Sequence, residues 1–518
     1  LTEGAKARGY GENREAIFLE GNMKHLLKVF SLIFLLSIIS PLAWAEIDIK
    51  EAVVKIYAVN NRYNYYEPWQ MRGQRQSSGS GIIITGKRIL TNAHVVADHT
   101  FIQVKRAGQA KKYVAKAQIV AHECDLAILK VEDDSFFDAV APLRIGDLAQ
   151  VRDKVAVYGF PVGGDELAIT EGVVSRIEHH YYSHSSAYLL TCQIDAAINP
   201  GSSGGAVVKD EKIVGVAFQG GGGENIGYMV PAPVIMHFLN DIKDNEYNGI
   251  PGLSISIQEM ENPDIRSKYK MTAKQTGVLV NNIYPDSAVS GQLAQKDVIL
   301  SINNKNIDND GTIEFRKNER TSLAYIIQNK YINDTVKIKI LREGKTLDLK
   351  IKLTEPVNFG RLVPYQQYDR APTYYIIGGL VFEPLTENFL KEWGRNWHND
   401  APGNLVNYYY HGEPLNDRRQ IVVLVKVLAD EINVGYHEWR NNVISYVNNR
   451  KISTIKDLAA AFEEHQGQYH IIEDEKEYKI ILEKEKVDQN SAQILQRYKI
   501  TNDRSADLKG DNKTGVEK

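Results

Sequence analysis

Cysteine is scarce in this chain of 518 residues, and long apolar runs are scarce as well. The two cysteines, Cys124 and Cys192, allow at most one disulfide, and their apolar neighbours favour two buried free thiols over a pair. The apolar run at residues 29–39 is short for a membrane-spanning helix. A formal net charge of −3 gives no reason to expect a nucleic-acid partner.

The N-terminal part of the sequence carries an export pattern. Residues 23–45 begin with Met23 and a basic stretch, continue into the apolar run, and end in Ala-Trp-Ala, a small-x-small cleavage motif. This predicts a signal peptide cleaved after Ala45, export to the periplasm, and no stable membrane anchor. The alternative is an uncleaved anchor. Residues 1–22 are interpreted as an upstream extension, outside the native protein.

A serine lies among glycines in the motif Asn-Pro-Gly-Ser-Ser-Gly-Gly-Ala-Val at residues 199–207. Glycines let the backbone turn sharply and bring its N–H groups close to a substrate carbonyl. Ser203 is therefore a candidate nucleophile, with the N–H groups of Gly201, Ser202 and Ser203 as candidate oxyanion donors. On its own such a turn would equally join two strands without any catalytic role.

A candidate base and a candidate acid precede this serine. His94 lies in the motif Thr-Asn-Ala-His-Val-Val, and Asp125 opens a later apolar run. A single histidine would ordinarily be a hydrogen-bonded core residue and a single aspartate a turn residue. The order His94, Asp125, Ser203 is nevertheless that of the chymotrypsin-type triad, and this order favours the catalytic interpretation.

The three residue types suit acyl transfer. A serine hydroxyl is a weak nucleophile at neutral pH, so a base must remove its proton during attack. An imidazole with a pKa of about 6.5 can do so, and an aspartate behind it fixes the tautomer and stabilises the imidazolium. His94, Asp125 and Ser203 are thus expected to form a general base, an orienting acid and a nucleophile.

Several motifs resemble those of the Do-like, or HtrA/Deg, serine proteases, and three of them, at 309–312, 374–382 and 430–436, resemble the branch best known from plants. The resemblance implies two six-stranded barrels with the triad between them, no cofactor or metal, and assembly as a trimer or a multiple of trimers. Ser202 departs from the family, which usually has Asn there. The matching segments include residues 78–81, 91–96, 122–129, 193–200, 225–231, 309–312, 374–382 and 430–436.

The fold class follows from strand patterns and from an internal repeat. Short β-branched runs between turns predict a mainly β fold, interpreted as a chymotrypsin-like double β-barrel. Residues 297–307 and 442–452 resemble each other, which indicates a duplicated α+β module of the PDZ type. The predicted divisions are a protease domain at 46–247, a first PDZ domain at 250–355, a linker at 356–372, a second PDZ-like domain at 373–485 and a polar tail at 486–518, with disorder expected after about Lys499.

PDZ domains capture a C-terminal peptide by strand addition beside a loop that holds the carboxylate. In the first copy, Gly252, Leu253, Ser254 and Ile255 are the candidate groove, although the domain could instead serve only for packing. The second copy carries a polar, tyrosine-containing insertion near residues 396–420, and packing or assembly is expected there.

Ala197, six residues before the candidate nucleophile, is expected at the floor of the primary specificity pocket, with Ile198 and Tyr228 beside it. No acid is present there to pair with Lys or Arg, so the pocket predicts small or medium apolar side chains. The glycines at 220–223 predict a mobile loop next to it. Three histidines, His179, His180 and His184, are expected in an exposed loop rather than around a metal. The predicted site therefore contains no metal.

The prediction is an ATP-independent serine endopeptidase that degrades unfolded or damaged envelope proteins. Its partners are expected to be unfolded polypeptides, C-terminal peptides at the first PDZ domain, and further copies of itself. Two alternatives remain open at this point: a holdase chaperone with a resting active site, and a PDZ-regulated protease that cleaves one specific partner.

Overall fold

The computed structural model describes residues 48–220 and 226–509. The predicted signal peptide at 23–45, the extension before it and the glycines at 221–223 lie outside these ranges. No helix in the described ranges is both long and apolar enough to cross a membrane. Strands predominate, as the sequence predicted.

The first barrel is built from six short strands whose β-branched residues face inward. Ile56, Ile82 and Ile128 are fully buried inside it. A one-turn helix, α1 (Ala93–Val96), carries His94 between two of the strands. The strands are β1 (Val53–Tyr63), β2 (Met71–Ile84), β3 (Arg88–Thr91), β4 (His99–Arg106), β5 (Tyr113–Ala121) and β6 (Leu126–Val131). They close in the order β1-β2-β3-β6-β5-β4.

The second barrel also closes, which confirms the double-barrel fold that the resemblance implied. Its strands are β7 (Arg144–Ile145), β8 (Lys154–Gly159), β9 (Ala168–Tyr181), β10 (Tyr188–Ile194), β11 (Ala206–Lys209), β12 (Lys212–Gly220) and β13 (Gly227–Pro231). The order β11-β8-β9-β10-β13-β12 returns to β11, and β7 pairs in parallel with β12. Helix α2 (Ala232–Asp241) follows β13 and ends the protease domain.

The first PDZ domain contains a six-stranded sheet with a short helix beside its edge. Its elements are β14 (Ile255–Gln258), α3 (Pro263–Lys268), β15 (Val278–Ile283), β16 (Val298–Ile302), β17 (Lys305–Asn306), β18 (Thr312–Arg316), β19 (Glu319–Ser322), α4 (Ala324–Gln328), β20 (Thr335–Arg342) and β21 (Lys345–Lys352). The main order is β14-β15-β16-β20-β21. Strand β14 therefore has one free edge.

The second PDZ domain repeats this order and adds one strand. Its elements are β22 (Tyr375–Ile377), β23 (Leu380–Pro384), α5 (Glu387–Leu390), α6 (Trp397–Asp400), α7 (Gly403–His411), β24 (Val422–Val427), β25 (Asn442–Val447), β26 (Arg450–Lys451), α8 (Ile455–Glu463), β27 (Tyr469–Asp474), β28 (Lys479–Glu483) and α9 (Lys484–Arg497). The order is β22-β23-β24-β25-β27-β28. Strand β23 matches β14 of the first copy, but β22 pairs along its outer edge.

The structure corrects the expected polar tail. Helix α9 occupies the start of that segment, and Val487 and Ile494 are buried on one of its faces. Ile500 is buried beyond it, and Arg504 forms an isolated bridge with Tyr375. A few apolar residues, widely spaced in a charged sequence, are enough to fix one helix face. Residues 510–518 lie outside the described ranges.

The tip of the β1–β2 hairpin packs against the second PDZ domain. Tyr65 is buried there, and the ring of Tyr66 lies 5.7 Å from that of Phe389. Trp69 meets Tyr374 edge-on at 6.3 Å. This aromatic contact joins the protease domain to the second PDZ domain.

Candidate active site

The predicted acid lies on a tight turn, residues 122–125, that leads into β6. The N–H group of Asp125 donates to the His122 carbonyl at 3.2 Å. The backbone of Asp125 has a φ of 53°, in the left-handed region that costs a non-glycine residue roughly 1–2 kcal/mol. The amide of Asn92 donates to the Asp125 carbonyl at 2.8 Å and supports this conformation. This segment is called the acid turn below.

Asp125 holds the predicted base by two hydrogen bonds. His94 Nδ1 lies 2.7 Å from one carboxylate oxygen, and the His94 N–H donates to the other at 2.9 Å. Burial lowers the pKa of His94, but the charge and hydrogen bond of Asp125 outweigh it, so the pKa is raised above 6.5. Burial conversely raises the pKa of Asp125, yet His94 and His184 bring it below its usual value. Nε2 of His94 is left for the nucleophile.

The predicted nucleophile is turned toward a carbonyl. Ser203 Oγ donates to the Phe218 carbonyl at 3.3 Å, a long and weak hydrogen bond. Within the described ranges it forms no hydrogen bond with His94. A hydrogen bond between Ser203 Oγ and Nε2 of His94 must therefore form before the proton can pass to Nε2. Catalytic hydrogen bonds are often loose without substrate and tighten when substrate binds.

The loop before Ser203 turns tightly and leaves two N–H groups unpaired among the described residues. Gly201 has a φ of 94°, and a Cβ there would lie 2.5 Å from the Phe160 carbonyl oxygen. The N–H of Ser202 donates to the Asn199 carbonyl at 2.9 Å, so it is not free for substrate. The N–H groups of Gly201 and Ser203 have no hydrogen-bond partner in the part of the chain that the structure describes. These two remain as candidate oxyanion donors.

Ser80 supports this loop, and its role was missed from sequence. Its buried hydroxyl donates to the Gly201 carbonyl at 2.8 Å and accepts from the Phe160 N–H at 2.8 Å. Its N–H donates to the Ser203 carbonyl, also at 2.8 Å. The Ser-Gly-Ser-Gly motif that contains Ser80 was used only for the resemblance. Its spacing on β2 was the available signal, but nothing local shows that it faces the nucleophile loop.

Ala197, Ile198 and Tyr228 remain the candidates for the specificity pocket. Ile198 lies against Gly227, where an added Cβ would be 2.8 Å from the isoleucine side chain. Ala197 accepts a hydrogen bond from Thr170 through its carbonyl and stays partly exposed. The ring of Tyr228 stacks on that of His180, with ring centres 4.6 Å apart.

The three histidines do not lie in the exposed loop that was expected: His179 and His180 lie on strand β9, and His184 is buried. His179 hydrogen bonds to Thr321 and Gln328 of the first PDZ domain, both at 2.8 Å. His184 lies next to the candidate base, with 6.0 Å between its ring centre and that of His94. Burial lowers the pKa of His184 to about 3, so it is neutral. Within the described ranges no cluster of metal-ligating side chains occurs.

The predicted PDZ groove is open in the first copy. Gly252, Leu253, Ser254 and Ile255 line a cavity of about 270 Å³ between the free edge of β14 and helix α4. The N–H of Gly252 donates to the Glu355 carbonyl, so it is engaged. The hydroxyl of Ser254 is buried without a hydrogen-bond partner. The groove therefore offers an unpaired strand edge and an unsatisfied polar group at its closed end.

The corresponding groove in the second copy is occupied by the chain itself. Strand β22 pairs with β23 in the position that an added peptide would take, with Tyr375 opposite Phe382. Tyr375 is 2% exposed, and its ring centre lies 6.1 Å from that of Phe462 in α8. This agrees with the expectation of packing rather than peptide capture.

Both cysteines are free and buried. Burial raises the pKa of Cys192 to about 12 and raises that of Cys124 as well, so both thiols stay protonated at neutral pH. Their environments are those of small core residues.

Comparison with known proteins agrees with this architecture. A family model described as a trypsin-like peptidase domain matches residues 79–216, and two PDZ-domain models match residues 251–353 and 363–507. The chain is 40% identical over 414 residues to Protease Do-like 4, mitochondrial, of Arabidopsis thaliana, covering 80% of this chain and 76% of the relative. It is 39% identical over 462 residues to Protease Do-like 2, chloroplastic, of the same plant, covering 88% and 75%.

Proposed function

Since the chain belongs to the Do-like, or HtrA/Deg, protease family and is a serine endopeptidase, we propose that His94, Asp125 and Ser203 are its catalytic triad. The observation that carries this proposal is the pair of hydrogen bonds between Asp125 and His94, with the glycine loop of Ser203 alongside. The buried carboxylate presents the imidazole in one tautomer, as a general base requires.

In the proposed reaction, Nε2 of His94 removes the Ser203 proton while Oγ attacks the substrate carbonyl carbon. The negative charge that forms on the carbonyl oxygen is stabilised by the N–H groups of Gly201 and Ser203, each worth about 2.7–4 kcal/mol. His94 then gives the proton to the leaving amine as the peptide bond breaks. Water, activated by the same histidine, hydrolyses the acyl-enzyme and restores Ser203.

The proposed substrates are unfolded polypeptides with small or medium apolar side chains before the scissile bond. Ala197 and Ile198 provide no charge for a basic side chain, and such apolar residues become accessible when a protein unfolds. The proposed hydrolysis uses only the triad, the two N–H groups and water, so it needs no ATP. C-terminal peptides are proposed to bind at the open groove of the first PDZ domain.

Fluorescently labelled unfolded casein tests the triad proposal. We expect the wild type to release fragments without ATP and Ser203→Ala to release none while keeping its melting temperature. Ser77→Ala, which changes an exposed serine on β2, is the control and should cleave normally. Fragments from Ser203→Ala would refute the assignment. Suppression of casein aggregation without any cleavage by the wild type would favour the holdase alternative.

Peptide capture is tested by fluorescence anisotropy with a labelled apolar-ended peptide. The free-carboxylate peptide should bind the full chain, and the same peptide with an amidated C-terminus should bind at least tenfold more weakly, because the loop amides lose their charged partner. Equal binding of both peptides would argue against carboxylate capture.

Export and assembly are also proposals. The two relatives above carry mitochondrial and chloroplastic names, whereas residues 23–45 favour a periplasmic address. Mass spectrometry of the protein from an expressing bacterium would give a mature N-terminus at Glu46 if the segment is a signal peptide. Analytical ultracentrifugation would test the proposed trimer or multiple of trimers.

A further inference from the structure

The acid turn has contacts on two sides with chain segments that lie outside the barrels. Glu123 faces the segment that leads into the first PDZ domain, and His122 faces the segment that leaves it. Asp125, between them and β6, keeps its strained backbone and its contacts with His94. The catalytic acid is thus attached on both sides to the connections that flank one PDZ domain.

On the entry side, Glu123 holds residues 247–250. Its Oε2 accepts a hydrogen bond from the Ile250 N–H at 2.9 Å and another from the Tyr247 hydroxyl at 3.0 Å. An added Cβ at Gly249 would lie 3.1 Å from the same oxygen, so the backbone passes closely over the carboxyl group. Ile250 directly precedes the groove loop of the first PDZ domain.

On the exit side, His122 holds the linker between the PDZ domains. Nε2 of His122 lies 2.9 Å from Oδ2 of Asp369. The other oxygen of Asp369 accepts from the Asp98 N–H at 2.6 Å, and the Asp369 N–H donates to Asp98 Oδ1 at 2.8 Å. This reciprocal pair fixes the linker to the barrel next to the acid turn.

His122 and the linker also contact His184, which lies beside the catalytic histidine. Nδ1 of His122 lies 2.9 Å from Nε2 of His184. Tyr368 stacks on His184 with ring centres 4.0 Å apart, and its hydroxyl donates to the His184 carbonyl at 3.1 Å. His184 in turn lies beside His94. The linker therefore helps to cover the side of the catalytic pair that would otherwise face solvent.

We propose that Glu123 and Asp369 are positioning residues of the proteolytic reaction. They anchor the acid turn to the two segments that flank the first PDZ domain, and they thereby hold Asp125 in its strained conformation against His94. Neither residue touches the nucleophile loop or the specificity pocket. Their loss should therefore lower kcat and leave KM nearly unchanged. This inference rests on the proposed triad.

The test uses the full chain and a short chromogenic peptide with an alanine before the scissile bond. Glu123→Ala and Asp369→Gly remove the anchors; glycine is chosen because Asp369 has a φ of 54°. Glu123→Gln and Asp369→Asn keep an acceptor oxygen and serve as rescuing variants. Glu413→Ala is the matched control, because this exposed carboxylate accepts a hydrogen bond from Asn282 across the PDZ domains, away from the triad.

We expect kcat to fall about 10- to 100-fold in each anchor-removing variant, with KM changed less than twofold. The rescuing variants should recover most of the rate, and Glu413→Ala should match the wild type. The acid limb of the pH profile should move to lower pH in the two slow variants, because a displaced Asp125 supports the charged form of His94 less well. A lower melting temperature alone would not move that limb.

Wild-type kcat in both Glu123→Ala and Asp369→Gly would overturn the proposal, as would an unchanged acid limb in slow variants. If either anchor-removing variant fails to fold, Tyr247→Phe, which removes one hydrogen bond to Glu123, or His122→Phe, which removes the contact with Asp369, takes its place. An acid limb at the wild-type position in that variant would overturn the proposal. Casein cleavage by Ser203→Ala would instead show that the triad is wrong. The two failures are therefore distinguishable.

Discussion

Ser80→Ala is the sharpest test of how the nucleophile loop is held. The serine hydroxyl is fully buried and joins the Gly201 carbonyl to the Phe160 N–H. Alanine removes the bridge and leaves the Gly201 carbonyl and the Phe160 N–H buried without a hydrogen-bond partner. Each unsatisfied group costs about 1–3 kcal/mol, so the free energy of unfolding should fall by about 2–6 kcal/mol.

The same substitution should slow catalysis. The two proposed oxyanion donors, the N–H groups of Gly201 and Ser203, lie on either side of the Gly201–Ser202 peptide unit, whose plane is fixed by the bond that the Gly201 carbonyl accepts from Ser80. Losing this bond lets both donors move. Misplacing one such donor lowers kcat about 10²- to 10³-fold. Urea unfolding gives the stability change, and hydrolysis of a short chromogenic peptide at saturating concentration gives kcat.

Ser77→Ala is the matched control, since it removes an exposed hydroxyl from the same strand. It should unfold at the wild-type urea midpoint within error and keep its kcat. The reasoning is refuted if Ser80→Ala retains both the wild-type midpoint and the wild-type kcat. A stability loss with an unchanged kcat would show that the hydroxyl supports the fold but does not position the oxyanion donors.

Three further predictions follow from the same contacts. Asp125→Asn should lower kcat about 10⁴-fold. Because Asp125 raises the pKa of His94 above 6.5, assays from pH 5 to 9 should also show the acid limb of the pH profile at a lower pH in this variant than in the wild type. Burial raises the pKa of Glu123 from 4.5 to about 7, so this carboxyl group ionises at a lower pH in the unfolded state than in the folded state. As the pH rises from about 4.5 to about 7, the unfolding free energy of the wild type relative to that of Glu123→Gln should therefore fall by at most about 3 kcal/mol. Urea titration measures this difference. Gly204→Ala should abolish hydrolysis, because its Cβ would lie 2.0 Å from the Ser80 carbonyl oxygen at a φ of 85°; normal cleavage by that variant would contradict the geometry.

The triad order and the mainly β fold could be predicted because they depend on local patterns, and the family resemblance implied the double barrel. A histidine after a β-branched strand, an aspartate before another strand and a serine among glycines each leave a signal within a few residues. The duplicated PDZ modules were found for the same reason, since each repeat carries its own strand and turn pattern.

What the sequence did not reveal depends on contacts between distant segments. Ser80 and Gly201 are separated by 121 residues, and no local pattern shows that one hydroxyl bridges the nucleophile loop. His122 and Asp369 are separated by 247 residues and belong to different domains.

The polar tail was mispredicted for a different reason. Helix α9 has a charged composition, and its average polarity conceals the two buried residues on its inner face, Val487 and Ile494. Its packing also depends on the second PDZ domain.

The most direct test of the central claim is covalent labelling of the activated serine with a fluorophosphonate, followed by peptide mass spectrometry. The proposed triad predicts a single adduct on Ser203, strongly slowed in His94→Ala and absent in Ser203→Ala. An adduct on another residue would contradict the assignment, and so would labelling at the wild-type rate in His94→Ala.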